Sequence, residues 1–226
     1  MNNKLFIIIP TMCNYDGLVS LINSLYSKTK IHDIYIHNNI TENSGVAHAW
    51  NEGIKLGLEK GYEFFLILSD DIILLQEIDN LIEEFKKLEK SENYLILSGR
   101  RIIDGMTNIN TQEGATKMTG CDYACFTFSN KLIDKVGYFD EKFYPAYFED
   151  NDMDYRIKLA GFTSGGSPTL KFVTRGSVTL EILGDTEKGK QIKNGFIKNK
   201  EYYVKKWGGI PSQEIYTIPF NSPSNT

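Results

Sequence analysis

The sequence predicts an α/β fold with a Rossmann-like, mainly parallel central sheet flanked by helices. Three observations predict it. Short apolar runs alternate with amphipathic ones over the first hundred residues. The apolar runs lack polar alternation, as strands buried on both faces do. Each of the first three runs also ends in a polar cluster: Pro10-Thr11, His37-Asn38-Asn39 and Ser69-Asp70-Asp71. In open α/β sheets, ligands bind at those carboxyl ends.

The elements follow in order. Lys4–Ile9 is a strand stopped by Pro10. Asp16–Ser27 places Leu18, Leu21, Ile22 and Leu25 on one helical face, with Asp16 as the expected cap. Ile34–Ile36 is a second strand. A helix from Val46 to Lys60 follows Asn43-Ser44-Gly45 and closes on Gly61. Phe64–Leu68 is the third strand, Glu77–Lys90 an amphipathic helix and Tyr94–Leu97 the fourth strand. The βαβαβαβ order implies parallel pairing with helices on both faces. The second half is less regular. Ala124–Phe128 and Phe172–Thr174 read as strands, and Asn130–Val136 as a short helix. Glu149–Ala160 reads as a helix with Met153, Ile157 and Ala160 inward and Gly161 as its stop. Gly184–Trp207 is Lys-rich and reads as a peripheral helix. The expected organisation is one domain over residues 1–184, with 185–226 a helical segment and tail packed on it.

Composition narrows the function classes. Hydrophobic residues at 41% and charged residues at 24% are ordinary globular values. The net charge of -4, with scattered basic residues, argues against a nucleic-acid partner. No apolar run approaches bilayer-spanning length, and Leu5–Pro10 is too short for a signal core. Cys13, Cys121 and Cys125 form no CxxC pair. A soluble, cytoplasmic chain without a transmembrane segment is the expectation. The sequence does not specify an oligomeric state. Neither a P-loop nor a GxGxxG is present, which removes support from P-loop kinases and Rossmann dehydrogenases.

Two acidic groups carry the chemistry. Asp70-Asp71 follows a buried strand, where adjacent carboxylates repel and lose hydration; a hard cation, Mg²⁺ or Mn²⁺, relieves both costs. The alternative is a capping or turn pair. Glu149-Asp150-Asn151-Asp152-Met153-Asp154 follows the aromatic run Phe143–Phe148. Acids in a first helical turn favour the helix dipole. A carboxylate against an aromatic wall could also deprotonate a hydroxyl. His37 could line a nucleotide pocket, while His48 reads as structural.

The chain resembles the family 2 glycosyltransferases of GT-A fold, the nucleotide-diphospho-sugar transferase fold, and their rhamnosyltransferase-like members in particular. Phe6–Thr11, Asn43–Ile54, Leu66–Ile72 and Gly120–Phe162 carry the resemblance, including Val136-Gly137-Tyr138-Phe139-Asp140-Glu141 and Glu149-Asp150-x-Asp152. It implies a nucleoside-diphosphate sugar as donor, with UDP favoured, a carbohydrate acceptor and a Mn²⁺ or Mg²⁺ cofactor. Asp71 would hold the metal, with Asp70 near the ribose or sugar. Pro10, Thr11 and Asn38 would border the nucleotide base, and Asn51 and Lys55 would lie near the diphosphate or sugar. Asp150 would be the general base, supported by Glu149 and Asp152. Gly120, Cys121 and Asp122 would face the donor sugar or acceptor. The late His of many members is absent from Phe172–Ser177, where Arg175 could meet the phosphates instead. Rival readings are a sugar nucleotidyltransferase, which would need a basic Gly-rich loop after the first strand, and a non-catalytic nucleotide-sugar-binding module.

Overall fold

The computed structural model describes residues 4–28, 32–103, 106–107, 121–174 and 178–221. Strand β1 (Leu5–Thr11) leads into helix α1 (Tyr15–Lys28), and β2 (Asp33–Asn38) into α2 (Val46–Glu59). Next come β3 (Phe64–Leu68), β4 (Ile72–Leu74), α3 (Leu81–Glu92), β5 (Tyr94–Ile103) and the short β6 (Met106–Thr107). The second half adds β7 (Cys125–Ser129), α4 (Lys131–Val136), α5 (Glu149–Leu159), β8 (Thr163–Thr174), α6 (Val178–Leu183) and α7 (Glu187–Trp207).

The sheet order is β2-β1-β3-β7-β5-β8-β4, with β6 on the edge of β5. β1 pairs in parallel with β2 and β3, and β5 with β8. β7 runs antiparallel between β3 and β5, so those two point the same way. Thus β1, β2, β3, β5 and β8 share one direction, and the expected mainly parallel sheet is what forms. The place of β7 follows from its composition. All five residues of CFTFS are buried, so the strand needs a sheet neighbour on each edge and cover on both faces.

Two apolar layers cover the sheet. One joins Leu21 and Leu25 of α1 and Phe85 of α3 to Ile7, Leu66 and Leu97. The other joins Trp50 and Ile54 of α2 and Met153 and Ile157 of α5 to Ile8, Ile67 and Phe126. Gly53 explains how closely α2 approaches: a Cβ there would come within 2.7 Å of the Ile8 side chain. Phe143, Phe148, Tyr155, Tyr203 and Trp207 form a third cluster, which ties α7 to α5.

Several boundaries differ from expectation. Asn14, not Asp16, caps α1: its Oδ1 accepts the Gly17 N–H at 3.1 Å. The residues after Asp71 pair with β8 as a strand, so α3 starts at Leu81 rather than Glu77. Ala160 lies after α5 and is exposed, because the apolar stripe ends at Ile157. The last strand begins at Thr163, where small residues pair with β5 despite low strand propensity. Gly184–Trp207 does form one helix, α7, from Glu187, but it is not wholly peripheral: Tyr203, Lys206 and Trp207 are buried.

Candidate active site

A cavity of about 380 Å³ opens at the carboxyl ends of β1 and β3 and reaches the start of α5. Pro10, Thr11, Asp70, Asp71, Glu149 and Asp150 line it, so the two acidic groups separated by nearly 80 residues of sequence face one space.

Asp70 is buried and fixed. Its Oδ2 accepts Thr11 Oγ1–H at 2.7 Å, and Asn14 Nδ2 donates to its main-chain oxygen at 3.2 Å. Burial pushes its carboxyl above the ordinary 3.8, and the Thr11 and Asn14 hydrogen bonds oppose that rise. Asp71 is half-buried, and its Oδ2 accepts Thr174 Oγ1–H at 3.0 Å.

The opposite wall is built by an unusual helix start. Tyr147 and Phe148 have φ of 79° and 73°, the left-handed region that side chains with a Cβ rarely occupy. Asn199 of α7 holds this turn, donating from Nδ2 to the Ala146 oxygen at 2.8 Å and the Tyr147 oxygen at 3.0 Å. The turn aims the first residues of α5 at the cavity. Burial pushes the Asp150 carboxyl above 3.8; the Asn151 N–H, at 2.8 Å, opposes the rise and the Asp154 charge adds to it. Glu149 is pushed well above its ordinary 4.5, first by burial and then by the Asp150 charge.

The Glu149 shift has a stability consequence. Its folded-state pKa is raised, so the folded chain holds the proton more tightly than the unfolded chain. Stability therefore falls as pH rises from about 4.5 through the folded value. Glu149→Gln cannot ionise. It should raise Tm at pH 8, by about 2–4 °C per kcal/mol of relief, with the gain shrinking towards pH 4. Paired thermal melts across that range check the sign.

Asp122 also lines the cavity and is paired with Arg101 through two hydrogen bonds, at 2.9 and 3.2 Å. Cys121 is half-buried beside the second apolar layer, outside the lining; burial pushes its thiol well above 9.0. Gly120 and Arg175 lie outside the described residues.

Besides Cys121, four expected residues are not brought to the cavity. Asn38 is exposed, and its Oδ1 accepts the Ile40 N–H at 2.9 Å. Its neighbour Asn39 lines the cavity instead, since successive strand side chains alternate in direction. Asn51 pins α2 to the loop after α4: it donates to and accepts from the Phe139 main chain at 2.9 and 3.0 Å. Lys55 pairs with Glu52 at 2.8 Å on the exposed side of α2. Asp152 is fully buried away from the cavity. It accepts from Arg156 Nε and Trp207 Nε1, both at 2.8 Å, and pairs with Lys206 Nζ at 2.6 Å. That contrasts with the expected place of Asp152 beside the base: one residue pair along a helix turns a side chain by about 200°. Of the histidines, His37 bonds Tyr35 and Ser44, and His48 pairs with Glu141 at 2.9 Å.

Lining residues with no expected role include Trp50, Arg101, Tyr147, Thr179 and Ile192. Arg101 comes in with the length of β5, and Thr179 and Ile192 with the return of α6 and α7, while Trp50 stands on α2 and Tyr147 in the turn before α5.

The architecture is the GT-A fold, shared with solved glycosyltransferases. GalNAc-T7, solved with UDP, GalNAc and Mn²⁺, aligns with a TM-score of 0.60 at 10% identity, over 90% of this chain and 48% of that one. The mannosyltransferase PcManGT of Pyrobaculum calidifontis, solved with GDP-Man and Mn²⁺, aligns at 0.55 and 16% identity, over 86% of this chain and 63% of that one. In sequence, the chain is 35% identical over 81 residues to a galactofuranosyl glycosyltransferase of Leishmania donovani, which is 36% of this chain and 18% of that protein. The chain thus spans under a fifth of the Leishmania protein and about half to two thirds of the two solved enzymes. No protein-family profile matches.

Proposed function

We infer that the chain is a glycosyltransferase that moves a sugar from a nucleoside-diphosphate sugar, with a UDP-sugar favoured, to an acceptor hydroxyl with inversion. The observation that carries this reading is the single cavity shared by Asp70-Asp71 and Glu149-Asp150. The neighbours solved with UDP or GDP-Man and Mn²⁺ support a nucleotide sugar as the ligand of such a fold.

In this reading Pro10, Thr11 and Asn39 border the nucleoside, and Asp70 is held for the ribose or sugar. Asp150 accepts the proton of the attacking hydroxyl, and its raised pKa makes it the stronger base. Arg101 and Asp122 face the substrates, while Asn51 and Asp152 position the helices that carry the site. Among the described residues, no three or more His, Cys, Asp or Glu side chains gather as a metal set. The protein would supply one or two carboxylates, with Asp71 first, and diphosphate and water would complete the shell; Mg²⁺ is commonly bound that way. A divalent cation there would neutralise charge on the departing diphosphate.

Asp71→Ala should weaken UDP binding in Mn²⁺ by more than about tenfold, the range seen when even an outer partner of a metal site is lost. With EDTA present the variant and the parent chain should bind alike. Calorimetric titration with and without the chelator reads both. Equal affinity in Mn²⁺ removes Asp71 from the cation site. The competing nucleotidyltransferase reading loses ground because Thr11–Asp16 is neither basic nor glycine-rich.

A further inference from the structure

Five buried side-chain polar atoms lack a hydrogen-bond partner among the described residues, and two belong to residues lining the cavity: Trp50 Nε1 and Glu149 Oε2. Trp50 is 4% exposed and Glu149 6%. An orphaned buried donor or acceptor is costly, and native structures keep few of them.

The Trp50 ring is fixed. It stacks on Tyr123 at 6.3 Å and 28°, and meets Phe126 and Phe139 edge to face at 5.3 and 4.8 Å. The backbone links the two orphans to one junction. The Val46 N–H, at the start of α2, donates to the Pro145 oxygen at 2.9 Å. Trp50 lies about one turn along α2 from that bond, and Glu149 four residues beyond Pro145.

We propose that Trp50 and Glu149 together read one hydroxyl group of a sugar bound in the cavity. The chemistry selects that class. A hydroxyl both accepts, as from the indole N–H, and donates, as to the Glu149 oxygen. A phosphate or carboxylate would set its negative charge against the Asp150 carboxylate beside Glu149. An ammonium group only donates and would leave the indole N–H bare. Sites built to bond a particular hydroxyl discriminate strongly against analogues lacking it, because their own buried groups are then left unpaired. Burial of Glu149 beside Asp150 favours its neutral form, which suits an uncharged ligand. Trp50 and Glu149 would thus be specificity-determining residues, and this inference rests on the cavity's binding a nucleotide sugar.

The test compares the parent chain with Trp50→Phe, which keeps the aromatic packing, and Glu149→Leu. Each is titrated in Mn²⁺ with UDP and GDP alone and with UDP-galactose, UDP-GalNAc and GDP-mannose, and assayed with p-nitrophenyl hexosides as acceptors. Expected is unchanged affinity for the bare nucleotides. Alongside it, each variant shows a loss of about tenfold either in nucleotide-sugar affinity, which puts the hydroxyl on the donor, or in acceptor KM, which puts it on the acceptor. Glu149→Gln, which keeps an acceptor oxygen, should restore most of the loss. If the parent chain binds a nucleotide sugar and both variants match it within twofold in both arms, the inference is overturned while the proposed function stands. Parallel losses for the bare nucleotides also overturn it, as damage to the whole site. If the parent chain binds no nucleotide or nucleotide sugar, the proposed function fails and this inference with it.

Discussion

Asp150→Asn should lower sugar transfer by about 10²–10⁴-fold, the contribution of a positioned general base, while nucleotide binding stays within about twofold. The amide keeps the carboxylate's size, so the first turn of α5 retains its shape and its Asn151 N–H contact. What it cannot do is take the acceptor's proton. The pH dependence gives a second signature. Burial raises the Asp150 pKa, so its ionised fraction, and with it the rate, should climb with pH on a limb above the 3.8 of an ordinary aspartate. Initial rates of the parent chain across pH locate that limb, and Asp150→Asn should erase it. Transfer by Asp150→Asn at the parent rate would remove Asp150 from the base role.

Asp152→Ala should cost about 3–5 kcal/mol of stability, the usual cost of removing one partner from a buried ion pair. Asp152 is 0% exposed and meets two cations and an indole N–H. The network extends further: Lys206 also pairs with Asp140 at 2.7 Å, and Tyr202 donates to the same carboxylate at 2.9 Å. Arg156 donates from Nη1 to the Val136 oxygen and from Nη2 to the Tyr138 oxygen, at 2.8 and 3.0 Å. Two acids and two bases thus join α5, α7 and the loop after α4. With Asp152 gone, Lys206 keeps the Asp140 carboxylate, but Arg156 is left with carbonyl partners only, so the group carries one uncompensated positive charge. At about 2–4 °C per kcal/mol the melting temperature should fall by roughly 6–20 °C. A scanning melt reads this directly, and a fall under about 2 °C would contradict it.

Much of the frame was legible in the sequence because its signals are local. Apolar runs too short for helices, such as Phe64–Leu68, return as strands residue for residue. Gly61, with φ 78°, ends the second helix unit as its position suggested. Boundaries went astray where pairing outweighed propensity. Thr163–Gly166 is polar and glycine-rich, yet it is a strand because β5 offers it an edge. The site was legible where chemistry is concentrated. Asp70-Asp71 and Glu149-Asp150 are conspicuous as acids, and the fold brings both pairs to one cavity. Asn51 and Asp152 were equally conspicuous, but their polarity is used up inside the frame. Sequence carries the residue type, while the direction of a side chain depends on helix phase and on partners such as Trp207, 55 residues away. Trp50 shows the converse. It reads as a core aromatic, and only the orphaned indole nitrogen reveals its other capacity.

The proposed activity requires that this cavity take a nucleotide sugar and transfer its sugar. The most direct measurement is release of nucleoside diphosphate from UDP-, GDP- and dTDP-sugars in Mn²⁺, with p-nitrophenyl hexosides as acceptors, for the parent chain and Asp150→Asn. Release is expected from at least one donor, fastest for a UDP-sugar, accelerated by acceptor and reduced at least about 10²-fold in Asp150→Asn. Tight binding of a nucleotide sugar with no turnover under any acceptor, or turnover unaffected by Asp150→Asn, would contradict it.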